Sequence, residues 1–240
     1  MRNDLNAGVD TSAVITRGLA RRFSIEWAVR EVTFVLPPRS VLLLVGPNAS
    51  GKTTLLRLLA TALRPTDGSA SVFGRDLVRD ADAVRRLIAF VGTSAGVYDL
   101  LTARENLRFA AAMGGRPDAP VASWLDRVGL TAVADAPVRT LSNGMKRRLA
   151  LARAWLTSPR LLLLDEPYSG LDSEGLTLVA EMASDTTRRG GSVIIATHEW
   201  ERGMKMADAV LALAAGRPVE IGPAAQLTAA DLAAAAGGTR

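Results

Sequence analysis

One stretch of the chain, residues 41–56, restricts the possible folds more than any other. It begins with a short apolar run of strand type, Val41–Val45, passes through a glycine-containing turn and ends in a leucine-rich helical pattern. Residues 46–53, Gly-Pro-Asn-Ala-Ser-Gly-Lys-Thr, fit the G-x-x-x-x-G-K-[ST] pattern of a phosphate-binding P-loop. A chance match on a glycine-containing loop is the alternative, and the position between a buried strand and a helix argues against it.

The residue types in this motif suit the binding of nucleotide phosphates. Its backbone N–H groups can converge on anionic oxygens, and the positive end of the following helix points at the same place. We expect Lys52 to reach the β- and γ-phosphates and the Thr53 hydroxyl to ligate Mg²⁺. The expected phosphate-binding residues are Gly46, Pro47, Asn48, Ala49, Ser50, Gly51, Lys52, Thr53 and Thr54.

Acidic residues follow a second buried strand. The apolar run Leu161–Leu164 leads into Asp165 and Glu166, and we expect Asp165 to lie at the Mg²⁺ next to Thr53. Glu166 can then face the γ-phosphate and polarise the attacking water as a general base. Two acids after an apolar run can also form a surface turn, but the P-loop upstream disfavours that interpretation.

The only histidine of the chain, His198, follows another apolar run, Ser192–Ala196. Ligands of α/β folds bind at the carboxyl ends of the strands, so we expect His198 to contact the γ-phosphate. A purely structural or merely exposed histidine is the alternative.

Composition limits the class of protein. The 240 residues carry a net charge of +5 and no cysteine, which excludes disulfides, zinc–cysteine sites and thiol catalysis. The charge is compatible with nucleic acid, anionic lipid or nucleotide alone; the basic residues are scattered, and we interpret groups such as Lys146-Arg147-Arg148 mainly as solvated surface. Apolar runs are strand-sized, so a separate chain would have to span any membrane. We expect no export, because the first residues lack an apolar signal core.

The order of elements predicts an α/β protein with one insertion. We expect an α/β core formed by residues 13–92 and 159–222, and an all-helical lobe at residues 93–158. Residues 1–12 are polar and expected to be frayed, and residues 223–240 form an alanine-rich tail.

Some element boundaries are predicted more closely. Residues 27–29 and 32–36 read as two separate strands, and helices are expected near residues 52–63 and 199–208. The alanine-rich residues 224–236 are expected to form one loosely packed helix.

A third motif, Leu141-Ser-Asn-Gly-Met145, precedes the Asp165 strand by about twenty residues. The order of P-loop, Leu-Ser-Gly-Gly-Gln-like signature, carboxylate strand and histidine resembles the ATP-binding subunit of ABC transporters. Residues 168–172, Tyr-Ser-Gly-Leu-Asp, look like that family's D-loop, and the likeness extends from about Leu19 to Gly222. The resemblance implies a P-loop core of ABC type, with a mixed sheet flanked by helices, an antiparallel strand region and an inserted helical lobe.

The resemblance also implies how such a chain works. Two subunits, either two copies or one copy and a homologous ATPase subunit, would form a head-to-tail dimer that closes on two ATP molecules with Mg²⁺. Ser142 and Gly144 of one subunit would clamp the γ-phosphate held by the other, and Phe23 would stack on adenine. A core phenylalanine is the alternative for Phe23. The expected partners are integral membrane transporter subunits at the cytoplasmic face of the cell membrane, and no nucleic acid is expected.

The sequence departs from the family's pattern at three places. Ala49 stands where glycine is common, which should be tolerated if that position does not need a positive φ. The signature has Asn143 for glycine and Met145 for glutamine, but it keeps Ser142 and Gly144. The Q-loop glutamine is missing, and Thr93 takes its place as a candidate Mg²⁺ ligand acting through water. Coupling or metal affinity can differ for that reason, but the principal site residues named above are all present.

Short phrases after Leu101 and Thr197 resemble exporter-type subunits, most of all the ATP-binding subunit of the haem exporter used in cytochrome c maturation. Other small-molecule, drug or lipid exporters stay open as alternatives. A soluble ABC ATPase acting on ribosomes or DNA is less favoured, because the chain has one uninterrupted cassette and no sustained heptads. Glu166 and His198 disfavour a regulatory cassette that binds ATP without hydrolysing it.

Overall fold

A computed structural model describes residues 12–228 and residue 231 of the chain. Two sheets form its framework. A four-stranded antiparallel sheet has the order β2-β1-β4-β5, and a six-stranded sheet has the order β10-β9-β3-β8-β7-β6. The strands are β1 (Val14–Phe23), β2 (Glu26–Leu36), β3 (Val41–Val45), β4 (Asp67–Val72), β5 (Arg75–Asp76), β6 (Ile88–Val91), β7 (Leu161–Asp165), β8 (Ser192–Ala196), β9 (Ala209–Ala214) and β10 (Arg217–Pro223).

The larger sheet is mixed. Strands β6, β7, β8, β3 and β9 run parallel to their neighbours, and β10 pairs antiparallel with β9 at one edge. The helices are α1 (Lys52–Leu59), α2 (Ala81–Leu87), α3 (Ala103–Met113), α4 (Val121–Arg127), α5 (Asn143–Leu156), α6 (Ser173–Arg188) and α7 (Trp200–Met204).

The central strands are buried on both faces, which explains why their sequences read as unbroken apolar runs. Alternate residues of these strands enter two different cores. In β3, Leu43 belongs to the core shared with α3, α5 and α6, whereas Leu42 and Leu44 belong to the core shared with α1 and the antiparallel sheet. The ends of β3, β7 and β8 are therefore fixed from both sides, and these ends carry the predicted site residues.

The described chain between β6 and β7 contains helices and short 3-10 turns but no strand of either sheet. Helix α3 begins with a capping box, in which the Thr102 hydroxyl accepts from the Glu105 N–H and the Glu105 carboxylate accepts from the Thr102 N–H. Trp155 of α5 is fully buried, meets Trp124 of α4 edge-on at 5.3 Å, and donates from Nε1 to Asp185 of α6 at 2.6 Å. The Arg127 guanidinium lies 3.6 Å from the Trp155 ring centroid.

Three element predictions need correction. The two strands predicted at residues 27–29 and 32–36 are one strand, β2, because a bulge with Glu31 at φ +59° absorbs the interruption. Helix α1 ends four residues earlier than predicted, since Thr61 adopts φ +57°. Helix α7 ends at Met204, because the Asp208 N–H and carboxylate are committed to Val41 at the start of β3.

The helix predicted over residues 224–236 lies largely outside the described residues. Its described beginning, Ala224–Gln226, is a single 3-10 turn. The frayed segment predicted at residues 1–12 also lies outside the described chain, except for Ser12.

Candidate functional site

The P-loop lies between β3 and α1, as predicted. Two of its glycines are needed for close backbone contacts. A Cβ on Gly46, which has φ +148°, would lie 2.2 Å from the Leu213 carbonyl oxygen, and a Cβ on Gly51, at φ +103°, would lie 2.4 Å from that of Ala28. The loop is therefore held tightly against the backbone of β9 on one side and of β2 on the other.

Ala49 adopts φ +63°, in the left-handed region. The tolerance expected for alanine at this place depended on a φ that was not positive, and that premise is wrong. The Cβ of an alanine in this region approaches the following carbonyl oxygen, at a cost on the order of 1 kcal/mol that glycine avoids.

Lys52 is the first residue of α1 and is 6% exposed. Its ammonium donates to the carbonyl oxygens of Gly46 at 2.7 Å and Pro47 at 3.0 Å, so it lies over the loop that is expected to hold phosphate. Burial lowers the pKa of Lys52, while the negative charges of Glu166 and Asp165 act in the opposite direction.

Asp165 ends β7 and is 1% exposed. Both carboxylate oxygens are buried, and neither accepts a well-formed hydrogen bond. Burial raises the pKa of this carboxyl; a looser contact from the Thr53 hydroxyl and the charges of Arg57 and Lys52 lower it, and Glu166 raises it. A buried carboxylate without a partner, beside a threonine hydroxyl, suits a hard divalent cation such as Mg²⁺.

No group of three His, Cys, Asp or Glu side chains in the described residues forms a metal cage of its own. Mg²⁺ is typically held by one or two protein groups together with substrate phosphates and water. Thr53 and Asp165 fit that arrangement.

Glu166 and His198, each expected to face the γ-phosphate, contact one another, and their roles at the phosphate stay predictions. Glu166 Oε2 lies 2.9 Å from His198 Nδ1 and accepts from the His198 N–H at 3.3 Å. The same oxygen accepts from the Thr197 hydroxyl at 3.2 Å. The side chain of Glu166 is 17% exposed and that of His198 is 60% exposed. This carboxylate is thus held at the edge of the site, and Thr197 is a contributor that sequence analysis left unassigned.

The signature opens α5. Ser142 is the N-cap of this helix, and its hydroxyl accepts from the Met145 N–H at 3.2 Å. Ser142 is exposed, and a Cβ on Gly144 would lie 3.1 Å from the carbonyl oxygen of Gly170 in the D-loop. Among the described residues no hydrogen bond joins Ser142 or Gly144 to the P-loop.

Two predicted residues lie on the surface. Phe23 ends β1 and is 44% exposed, with the Arg21 guanidinium 4.7 Å from its ring centroid. The alternative of a core phenylalanine is therefore wrong, and adenine stacking stays a prediction. Thr93 is exposed just after β6, whose Val91 pairs with Leu164, and its role at the metal also stays a prediction.

The interpretation of Lys146-Arg147-Arg148 as solvated surface is wrong for two of the three residues. Arg147 is 4% exposed and Arg148 is 9% exposed. The Arg147 guanidinium donates at 2.8 Å to the backbone carbonyl oxygens of both Asp165 and Glu166. Arg148 lies between Asp172 at 3.9 Å and Glu174 at 3.8 Å. Adjacent basic residues in a helix give no sequence signal that separates these positions from an exposed face.

Comparison with known proteins decides the family. Residues 29–169 match the protein family described as ABC transporter. The chain belongs to this family. It is 40% identical over 170 residues to the cytochrome c biogenesis ATP-binding export protein CcmA of Pseudomonas putida, which covers 70% of this chain and 80% of that protein. It is 34% identical over 221 residues to the daunorubicin/doxorubicin resistance ATP-binding protein DrrA of Streptomyces peucetius. This alignment covers 90% of this chain and 67% of DrrA.

Solved structures of ABC proteins share the fold. The ATP-binding subunit of an ABC transporter superposes with a TM-score of 0.80 at 24% identity and covers 88% of this chain and 90% of its own. A dimeric ATP-binding cassette in a post-hydrolysis state with ADP and Pi also has a TM-score of 0.80, at 23% identity, covering 88% and 98%. The predicted ABC-type fold class is confirmed.

The chain is accordingly an ATP-binding ATPase subunit of the ABC family. The predicted likeness to the subunit used in cytochrome c maturation is confirmed by the CcmA relatives. Within the described chain, no helix combines the length and the apolar character needed to cross a bilayer.

Proposed function

We propose that this ABC subunit hydrolyses ATP to power export by a separate membrane subunit, with haem for cytochrome c assembly as the cargo. The CcmA relatives support the cytochrome c part of this proposal, since they are named as ATP-binding export proteins of cytochrome c biogenesis. A drug or another small molecule is the second candidate, because DrrA aligns with a larger share of the chain. A lipid exporter and a soluble ABC ATPase acting on ribosomes or DNA are less favoured.

The working unit is a head-to-tail dimer of two copies, or of one copy with a homologous subunit. Its support is the position of the signature. The N-terminus of α5 is exposed at Ser142 and makes no hydrogen bond to its own P-loop among the described residues. Its N–H groups, dipole and hydroxyl are available to a γ-phosphate presented from outside the subunit. Each ATP would then contact the P-loop of one subunit and Ser142 and Gly144 of the other.

The geometry supports the following division of labour in hydrolysis. Lys52 leaves the carbonyl oxygens of Gly46 and Pro47 and contacts the β- and γ-phosphates. Glu166 accepts the proton of the attacking water, while Thr197 and His198 hold its carboxylate. His198, as the exposed member, also contacts the γ-phosphate.

Thr53 and Asp165, with Thr93 acting through water, would hold Mg²⁺, which would supply charge neutralisation at the phosphate oxygens when bound. This assignment adds Thr93 in place of the family's glutamine. The support is that β6, which delivers Thr93, lies directly beside β7, which delivers Asp165.

A cleft of about 970 Å³ supports docking of the membrane subunit at the cytoplasmic face of the membrane. Thr93 lies in its wall, together with Tyr98, Phe109 and the basic side chains of Arg85 and Arg86. Since the cleft is lined both by residues around β6 and by α3 and α5, movement of the helices relative to the sheet would change its shape. A change in the shape of the cleft would be transmitted to a membrane subunit docked in it.

One observation carries the hydrolytic proposal: Glu166 Oε2 has three polar contacts with Thr197 and His198 at the end of β7, beside Asp165. The test is Glu166→Gln. We expect kcat to fall by about 10²- to 10⁴-fold, the range of a general base, with ATP binding retained. With Mg-ATP the variant should accumulate as a dimer in gel filtration.

The control is Glu181→Gln, in the middle of α6, where the carboxylate is 47% exposed and paired with Arg127. It should keep the turnover of the unsubstituted protein. Turnover near that level in Glu166→Gln would overturn the role of Glu166.

The cargo needs a separate experiment. The Glu166→Gln variant, tagged and trapped with Mg-ATP, is extracted with membranes in mild detergent, and the co-purifying chains are identified. Haem-handling membrane proteins support the cytochrome c assignment, and a different permease redirects it. Ribosomes or DNA without a membrane protein contradict the transport proposal.

A further inference from the structure

The buried guanidinium of Arg147 is not used by the hydrolysis scheme above, although it contacts the site. Its Nη2 donates at 2.8 Å to the backbone carbonyl oxygens of Asp165 and Glu166, and its Nη1 donates to the carbonyl oxygen of Gly92. These three carbonyls belong to the adjacent ends of β7 and β6. One side chain thus joins helix α5 to the two loops expected to carry the catalytic base and the Q-loop position.

The contact with Glu166 restricts the backbone from which the base projects. The Glu166 N–H donates to the Ala196 carbonyl oxygen at 2.8 Å, and the Glu166 carbonyl oxygen accepts from Arg147. The residue adopts φ +49°, a conformation that a non-glycine side chain leaves unless its surroundings hold it. Arg147 fastens the carbonyl side of this strained residue, and Ala196 fastens the amide side.

Burying the charge of Arg147 costs free energy, which packing of the core alone would not require. Its hydrogen-bond partners are neutral carbonyls, and its Nε has no partner, so its charge is buried without a directly bonded carboxylate. Burial lowers its pKa, while the charges of Asp165 and Glu166 favour the protonated form. A planar fork with several fixed donors is, however, the group that can hold three carbonyls in one geometry.

Arg147 lies close to the signature along the same helix. Gly144 and Arg147 are three residues apart and share a face of α5, about 4.5 Å along the helix axis. A displacement of the helix start would therefore be carried directly to the carbonyl of Glu166.

We propose that Arg147 is a positioning residue that links the Ser142–Gly144 end of α5 to the backbone of Glu166 in the same subunit. This inference rests on the proposed function, in which Ser142 and Gly144 contact the ATP held by the partner. A nucleotide bound in one site then sets the position of the base in the other site. The link predicts that the two sites hydrolyse ATP cooperatively and that cooperativity depends on Arg147.

The test compares Arg147→Gln, Arg147→Lys and a control, Arg153→Gln. Arg153 lies on the same helix, donates to the carbonyl oxygen of Gly96, and places its guanidinium 5.1 Å from the Tyr98 ring centroid. Among the described residues it makes no hydrogen bond or ion pair with the end of β7, so its replacement measures the general effect of removing a guanidinium from α5. The measurements are kcat, the Hill coefficient for ATP, the ATP dissociation constant and the melting temperature.

For Arg147→Gln we expect kcat to fall by about tenfold to hundredfold, because a small misplacement of a catalytic group has effects of this size. The Hill coefficient should fall to 1, and the ATP dissociation constant should change by less than about threefold, since the P-loop is untouched. Arg147→Lys should restore part of kcat, because an ammonium can satisfy some of the carbonyls but not all in the same plane. Arg153→Gln should keep kcat and the Hill coefficient.

Two results would overturn the link. One is an Arg147→Gln variant with the kcat and Hill coefficient of the unsubstituted protein. The other is an equal loss of both quantities in Arg147→Gln and Arg153→Gln, which would make the role merely structural. If Arg147→Gln does not fold, Arg147→Lys decides by the same two criteria. Failure of the proposed function is distinguishable, because it shows as an unsubstituted protein that hydrolyses no ATP.

Discussion

Replacing Asp165 with asparagine should stabilise the nucleotide-free protein while removing its use of Mg²⁺. The carboxylate is 1% exposed, and neither oxygen has a well-formed hydrogen bond. A buried polar group without a partner costs about 1–3 kcal/mol, and more when it is charged. Asparagine removes the charge but still buries an amide, and Lys52 and Arg57 already offset part of the charge. A net gain of about 1–2 kcal/mol follows.

For a chain of 150–250 residues, 1 kcal/mol shifts the melting temperature by about 2–4 °C. Asp165→Asn should therefore melt about 2–8 °C higher than the unsubstituted protein at pH 7 without nucleotide. Adding Mg-ATP should reverse the order. At a hundred times its dissociation constant a ligand stabilises the folded state by about 2.7 kcal/mol, and the variant should receive less of this. Thermal unfolding followed by circular dichroism measures both differences.

The pH dependence gives a further check on the cause. Burial raises the pKa of folded Asp165 above its ordinary 3.8, so the folded state binds the proton more tightly than the unfolded state. The unsubstituted protein therefore loses stability as pH rises from about 3.8 through the folded pKa. The advantage of Asp165→Asn should be absent near pH 3, grow over this interval and then level off.

A matched control is Asp172→Asn. Asp172 caps α6 by accepting from the Gly175 N–H at 2.9 Å, and its side chain is 57% exposed. Asparagine caps a helix about as well as aspartate, so its stability should change by less than about 0.5 kcal/mol. If Asp165→Asn melts at or below the temperature of the unsubstituted protein, or if its advantage does not vary with pH, the account of a desolvated carboxylate is refuted.

Two further substitutions test other features of the site. Ala49→Gly should raise the melting temperature by roughly 2–4 °C, because glycine relieves about 1 kcal/mol of backbone strain at φ +63°. The control Ala60→Gly, at φ −73°, should lower the melting temperature. A loss of stability in Ala49→Gly would contradict the argument. Thr197→Val should lower kcat about tenfold with little change in ATP affinity, since it removes one hydrogen bond to the Glu166 carboxylate. The control Thr197→Ser keeps the hydroxyl and should retain turnover. Turnover is measured by phosphate release, and equal turnover in both variants would exclude a role of Thr197 in holding Glu166.

The sequence was most informative where one physical requirement dictates the residue types. Strands buried on both faces must be apolar throughout, and β3, β7 and β8 were recognised for that reason. A loop that curls around phosphate needs glycine at close backbone approaches, and Gly46 and Gly51 meet that need. The polar residues that follow these strands could then be placed at one edge of the sheet.

The features that were missed depend on contacts between distant parts of the chain. Arg147 is buried because the ends of β6 and β7 offer it three carbonyls, and nothing in its local sequence reveals them. Ala49 has an ordinary side chain for a loop, and its positive φ follows only from the path of the backbone. Helix α7 is shortened by the pairing of Asp208 with Val41, which lies 167 residues away.

The indole of Trp155, at the centre of the helical region, can serve as an intrinsic fluorescent probe of helix movement. Trp155 is enclosed, with a negative carboxylate from α6 at its N–H and the positive guanidinium of Arg127 over its ring. A shift of α5 against α6 would alter both charges around the fluorophore and so change the wavelength of its emission. The chain has four tryptophans, so replacing Trp27 and Trp200 would leave a fluorescent probe confined to these helices. This probe is useful because the chain has no cysteine to which a thiol label could be attached.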